Sequence, residues 1–401
     1  MTAAAKQFDV VVLGSGAAGM MCAATAAQRG RSVALVDHSA QPGRKILISG
    51  GGRSNFTNLN CTAANYLSEN PHFAKSALAL YRPEHFLELV GRYGIRWHEK
   101  TLGQLFCDGS ARAIVDMLLA ECEGSGVELL LDTRIAGVER AEQGTFRIET
   151  SRGELRASAL VVATGGLSIP KLGATGFGYD LARQFGLNIV EPRPALVPLV
   201  LGGAEKPWTQ LAGVAVEVEA RAGQTCFREN LLITHRGLSG PAILQASSYW
   251  RPGEPLLVDF APPSADSAPG NKEKLLAALL APKARRDAVA FKQALRERLP
   301  QRLAGFLAET AAPRAWTNAA LEEAEHRLRA WDFHPVGTEG FDKAEVTAGG
   351  VDTDELQART MEARSAPGLF FIGEVVDVTG WLGGYNFQWA WASSVAAGRA
   401  V

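Results

Sequence analysis

No apolar run of the roughly 18 to 20 residues needed to cross a bilayer occurs in this 401-residue chain, so no membrane-spanning helix is expected. Cysteine is sparse. Cys22, Cys61, Cys107, Cys122 and Cys226 are odd in number, widely separated and never spaced CxxC, which argues against a disulfide framework, a zinc site or a dithiol relay. Redox chemistry must then come from a cofactor. Net charge is nearly absent too: 41 Lys and Arg against 42 Asp and Glu give -1, too weak a field to recruit nucleic acid or an anionic membrane. The one basic cluster, Lys283 to Arg286, falls in a helical pattern and reads as a solvated face. A phosphate-binding Walker loop is missing, because Gly52 is followed by Arg53 and Ser54 and no GxxxxGK[ST] spacing fits. The first residues run from a short polar lead into a buried strand with no charged-then-apolar leader, so the expected location is the cytoplasm.

What is present begins with FDVVVLGSGAAGMMCAATAAQRGRSVALVD, residues 8–37. It reads as an apolar strand, a glycine turn, an alanine-rich helix and a second apolar strand, a βαβ unit in a parallel sheet buried on both faces. Gly14, Gly16, Ala17, Ala18 and Gly19 form GxGxxG between strand and helix, the context that makes this pattern specific for a dinucleotide. The first glycine permits the turn, the second admits a pyrophosphate, and the third lets helix and strand pack. Asp37 ends the second strand 18 residues after Gly19, where a carboxylate can accept hydrogen bonds from a ribose diol.

This fingerprint alone leaves NAD and FAD open. Three further glycine-rich loops point to FAD, which extends across its domain. The first, KILISGGGRSNFTN after Gly43 and Arg44, supplies Lys45, Ser49, Gly50, Gly51, Gly52, Ser54, Asn55, Thr57 and Asn58 to ribityl, phosphate and flavin edge, with Arg44 or Arg53 near the phosphate charge. The second is Thr164, Gly165 and Gly166 after a buried strand. The third, residues 371–394, contains Gly373, Glu374 and Asp377, then Gly383 and Gly384 opening a helix whose Tyr385 and Asn386 N–H groups can face an electron-rich flavin edge.

Residues 191–265 alternate at period two and predict a small β module; 261–271 has linker composition; 266–340 carries Leu, Ala and Phe at helical spacing. Residues 341–401 return to buried-strand patterns, so 1–190 with 341–401 should form one discontinuous domain. No internal repeat is found.

GSGAAG, GRKILISGGGRSNFTN, LLITHRGLSGPAILQAS, VTAGGV, TMEAR and GLFFIGEVVDVTGWLGGYNFQWA together resemble the bacterial BaiN-like family of NAD(P)/FAD-dependent oxidoreductases over nearly the whole chain. The resemblance implies an α/β fold: a glutathione-reductase-like FAD-binding Rossmann domain, discontinuous, with an inserted β module and helical subdomain. The family's namesake activity reduces a carbon–carbon double bond conjugated to a ketone in a bile acid. Four positions depart from the family pattern: Ser54 for Cys, Asp37 for Glu, a missing acid in GATGFGYD, and Trp381 for a smaller residue.

The expected function is FAD-dependent oxidoreduction, passing hydride from NADH or NADPH through flavin N5 to a small organic acceptor such as an activated C=C bond. His235, Arg236 and Tyr385 are the candidates to supply a proton or bind an enolate oxygen. No second GxGxxG follows a strand, so an organic electron donor is the alternative, and a flavin-binding module acting on RNA or a protein is a third reading. The expected partner is a small-molecule substrate, without nucleic acid, membrane or metal.

Overall fold

The computed structural model describes residues 5–141, 144–262 and 274–401. Most of the linker expected at 261–271 lies outside the described residues. The chain divides into two compact units, Met1–Arg193 with Val346–Val401, and Pro194–Glu345.

The first unit is built on a sheet of seven strands. Glu128–Leu130, Val33–Val36, Lys6–Leu13 and Gly153–Val162 lie side by side, and Leu369–Phe371 pairs with the end of the last of these, all parallel. Helices cover parallel strands on both faces, and so VVVL, VALV and LVV are fully buried rather than alternating. Gly153–Val162 does two jobs along its length. Its first half pairs antiparallel with Phe146–Thr150, which continues to Ile135–Arg140, while Leu160 to Val162 take Leu369–Phe371.

Helix Ala17–Ala27 is buried on nearly every side, which its alanine-rich sequence permits. It packs on the C-terminal helix Tyr385–Ala400, where Gly398 lies so close that an added Cβ would stand 2.7 Å from Thr25 Cβ. Arg29 donates to the carbonyls of Gly398 and Val401 and Arg31 to Val401, so cations cap the end where carbonyls lack helical partners.

The second unit holds a largely antiparallel sheet in the order Trp331–Phe333, Leu256–Asp259, Ala215–Ala222, Thr225–Ile233, Gly237–Ser239, Leu199–Val200, Gly337–Thr338. Ala215–Ala222 alternates exposed and buried residues as its period-two sequence requires. Helices Ala288–Arg296, Gln301–Thr310 and Asn318–Arg329 bury Phe291, Leu303 and Leu321. The β module and helical subdomain, expected as separate pieces, here form one unit. The reason is a long-range pairing: Leu256–Asp259 before the helices joins Trp331–Phe333 after them. Buried Glu325 reinforces it, accepting from the Leu275 and Leu276 amides at 3.0 and 2.8 Å and from Arg329 at 2.7 Å. Trp208 centres this unit's core, stacked on Phe260 and edge-on to Phe306, Trp331 and Phe333. Truncation to Ala should destabilise the protein by about 3–5 kcal/mol. Urea unfolding measures this, and a loss below about 1 kcal/mol would contradict the packing described.

Candidate cofactor site

Val33–Val36, Lys6–Leu13, Gly153–Val162 and Leu369–Phe371 run parallel and end at one edge of the sheet. Each is followed by a segment the sequence singles out: Asp37, Gly14 to Gly19, Thr164 to Gly166, and Gly373 with Glu374. In open α/β sheets ligands bind outside such carboxyl ends.

The three glycines of the fingerprint divide their work as their spacing predicts. Gly14 has φ +107°, and a Cβ there would lie 2.5 Å from the Ala163 carbonyl oxygen. At Gly19 it would lie 1.7 Å from the Gly14 oxygen, so only glycine lets the helix start this close to the strand. Gly16 faces open space, with nothing within 4 Å of its Cβ position, and Ala17 and Ala18 begin the helix behind it. Asp37 Oδ2 accepts from the Ser15 amide and hydroxyl at 2.6 and 2.7 Å, and Oδ1 from the Ser39 amide at 2.7 Å. A carboxylate offers about four acceptor positions, so capacity for a ribose hydroxyl remains.

The glycine loop after Gly43 begins as a helix, then breaks: Ser49 is extended (ψ 149°), and Gly50, Gly51 and Gly52 have φ of +58°, +66° and +84°. Arg53 returns to φ −108°, and Ser54, at φ +49°, takes the left-handed region again without being glycine. Gly50 is pressed against the Asn55 amide and the Phe106 ring, whereas nothing approaches Gly51 within 4 Å. Gly165 (φ +74°) is equally open, and Gly166 packs against Thr347.

Several polar residues of these loops are committed to the chain itself. Ser49 donates to the Ile46 carbonyl, Thr57 to Gln388 Oε1 at 2.6 Å, and Asn58 to the Gly383 carbonyl. Lys45 Nζ lies 2.7 Å from both Glu374 Oε2 and Ser168 Oγ, and Glu374 Oε1 accepts from the Thr347 amide and Ser168 hydroxyl. Arg44 reaches the Lys171 carbonyl. Asn386 bonds back to Gly380 through both its amide nitrogen and its oxygen. Asp377, 3% exposed, accepts from the Glu69 amide, and burial raises its pKa above the usual carboxylate value.

Three others have no partner among the described residues: Ser54 Oγ, Asn55 Oδ1 and Thr164 Oγ1, all buried. Buried polar atoms are normally hydrogen-bonded. Orphans in two of the loops assigned to a cofactor, beside open glycines, fit the polar edge and ribityl hydroxyls of FAD. Burial and the neighbouring Glu374 charge raise the pKa of Tyr179, whose hydroxyl is also buried without a partner among the described residues.

The C-terminal helix closes the site. Gly384 (φ +96°) caps it, and a Cβ there would stand 2.3 Å from the Thr57 carbonyl oxygen. Trp391 donates to the Phe56 carbonyl at 2.8 Å and Trp389 to the Gly373 carbonyl at 3.0 Å. Both tryptophans are buried and hold two of the loops. Ser168, Thr347 and Gln388 were not singled out, because their partners lie far away in sequence; only VTAGGV, quoted for the resemblance, marked Thr347. Tyr385 is buried, its ring edge-on to Tyr66 and Trp381. His235 and Arg236 lie in the second unit, at the turn after Thr225–Ile233, both exposed, with Arg236 paired to Glu339 at 3.3 Å. Among the described residues no group of His, Cys, Asp and Glu is placed to hold a metal, and no helix is long and apolar enough to cross a membrane.

Residues 8–400 match the HI0933-like protein Rossmann domain family. The chain belongs to this family. It is 49% identical over 407 residues to the ribosomal RNA dihydrouridine synthase of Escherichia coli, covering 98% of both chains, and 44% identical to the protein of that name from Haemophilus influenzae, again covering 98% of each. It is 30% identical over 418 residues to the 3-dehydro-bile acid delta(4,6)-reductase of Clostridium scindens, covering 97% of this chain and 98% of the relative. As an HI0933-like, BaiN-like protein the chain is an FAD-dependent oxidoreductase with a Rossmann-type α/β fold.

Replacing Gly51 or Gly165 with Val should leave far-UV circular dichroism intact and weaken FAD retention at least about tenfold, equal to a loss of about 1.4 kcal/mol. Undiminished flavin in the purified variants would remove these loops from the cofactor site.

Proposed function

We propose that this HI0933-like enzyme reduces the 5,6 double bond of a uridine in ribosomal RNA, with NADPH or NADH as electron source. The observation that carries the proposal is the 49% identity over 98% of both chains with a ribosomal RNA dihydrouridine synthase. The bile acid reductase supports the chemistry, since its name also describes reduction of carbon–carbon double bonds.

FAD, when bound, supplies hydride transfer. The chain's residues would hold it as follows: Asp37 on the ribose, the open backbone at Gly16 beside the pyrophosphate, and Ser54, Asn55 and Thr164 on groups their buried atoms lack. The start of the C-terminal helix would direct the backbone N–H groups of Tyr385 and Asn386 to the electron-rich edge, where a helix dipole favours negative charge. A uracil ring can be reached only once it leaves its stack, and reduction adds a proton as well as a hydride.

This reading parts from the expectation of no nucleic-acid partner, which rested on a net charge of -1. Net charge describes the whole field and says nothing of a local surface.

The purified holoenzyme should convert uridine to dihydrouridine in unmodified ribosomal RNA when given NADPH or NADH, detected by nucleoside mass spectrometry. Rapid anaerobic bleaching of the flavin band by the same nucleotide without RNA would accompany it. A band that persists would shift the source of electrons to an organic donor, and absence of dihydrouridine despite bleaching would reject RNA as substrate.

A further inference from the structure

The first unit carries a small antiparallel sheet beside the glycine loop: Asn55–Asn58, Gln104–Cys107 and Trp97–Glu99, in that order. Trp97–Glu99 is its edge strand, and pairing runs past both its ends, with the Asp108 amide donating to the Arg96 carbonyl and the Lys100 amide to the Gln104 carbonyl. Side chains alternate along a strand, so Arg96, His98 and Lys100 project to one side and Trp97 and Glu99 to the other. In register, His98 stands opposite Phe106, and Phe106 opposite Asn55.

That face thus carries a continuous line. At one end is Asn55, with its orphaned amide oxygen. In the middle Phe106 packs at Gly50. At the far end His98 lies parallel over Phe106, ring centroids 6.2 Å apart, and the Lys100 ammonium sits 5.4 Å from the centre of the same ring. Neighbouring strands are about 4.8 Å apart, which puts His98 about 10 Å from Asn55.

The charges on this face are unbalanced. Arg96 and Lys100 are exposed and form no ion pair among the described residues, and exposed Arg53, beside the Cys107 amide through its own carbonyl, forms none either. Asp108 is committed to His98 Nδ1 at 2.8 Å, which fixes the imidazole plane. Glu99 turns to the other face and accepts from the Gly103 amide. A half-exposed ring flanked by two unpaired cations is the pairing that binds single-stranded nucleic acid: cations follow phosphates while bases stack on ring faces.

We propose that this face docks the RNA strand next to the target uridine, with Arg96 and Lys100 on backbone phosphates and His98 stacked on a flanking base. The proposal rests on the reading of RNA as substrate and specifies which surface holds it. Net charge hid this surface, because acids elsewhere in the chain balance it.

The test is fluorescence anisotropy of a labelled, uridine-containing single-stranded RNA with purified holoenzyme, titrated at several salt concentrations. Arg96→Glu with Lys100→Glu should weaken binding at least about tenfold and flatten the dependence of log affinity on log salt by about 1.4, two contacts at about 0.7 each. His98→Ala should weaken binding without changing that slope. Flavin content and bleaching by NADPH should stay at wild-type values in both. The control, Arg134→Glu with Arg152→Glu, changes net charge equally at exposed positions elsewhere on the first unit, and should leave the slope unchanged. Wild-type affinity and slope in the Arg96/Lys100 variant, or a loss no greater than in the control, would overturn this surface while RNA as substrate survives. No RNA binding by the wild-type holoenzyme at low salt would overturn both.

Discussion

The candidate site depends on one close approach of backbone to backbone. Gly384 opens the C-terminal helix against the Thr57 carbonyl, at a distance no side chain allows. With that contact made, the Trp391 indole reaches the Phe56 carbonyl, Gln388 receives Thr57, and Asn58 bonds the Gly383 carbonyl. Strand Asn55–Asn58 and the helix start become one rigid corner. Asn55, Ser54 and the glycines before them are presented from it, and Trp389 extends the same grip to Gly373 at the end of a sheet strand. These buried hydrogen bonds to backbone carbonyls are costly to break, because the group left behind has no water to turn to.

The corner also explains why the polar residues of these loops divide into two groups. Those pointing back toward the chain, Thr57, Asn58, Asn386 and the Lys45–Glu374–Ser168 cluster, fix the loops in place. Those without a hydrogen-bond partner among the described residues, Ser54, Asn55 and Thr164, are the ones we propose for the cofactor. An enzyme that must hold a flexible dinucleotide in one orientation needs both groups, since loosely held first contacts lose geometric precision.

Local signals carried the reading of the first unit. GxGxxG is legible because strand, turn and helix fall within 30 residues of sequence, and the apolar runs of a parallel sheet are unlike those of any surface strand. Long-range partners were not legible. Nothing in Leu256–Asp259 announces that it pairs with Trp331–Phe333 beyond the helices, so the second unit was divided where the structure joins it. Which hydroxyls face inward and which are satisfied depends on residues such as Thr347 and Gln388, hundreds of positions away. The edge strand Trp97–Glu99 gave no signal at all: it is three residues long and exposed throughout, and only the fold brings His98 and Lys100 to the same Phe106 ring.

The central claim, that the loops at the carboxyl ends of four parallel strands and the corner at Gly384 hold FAD, is tested most directly by amide hydrogen exchange with and without the cofactor. Protection should rise on FAD binding at residues 14–19, 50–55, 164–166 and 383–386 and stay level in the second unit's sheet core. Unchanged exchange in these four segments, with protection gained elsewhere in the chain, would contradict the account.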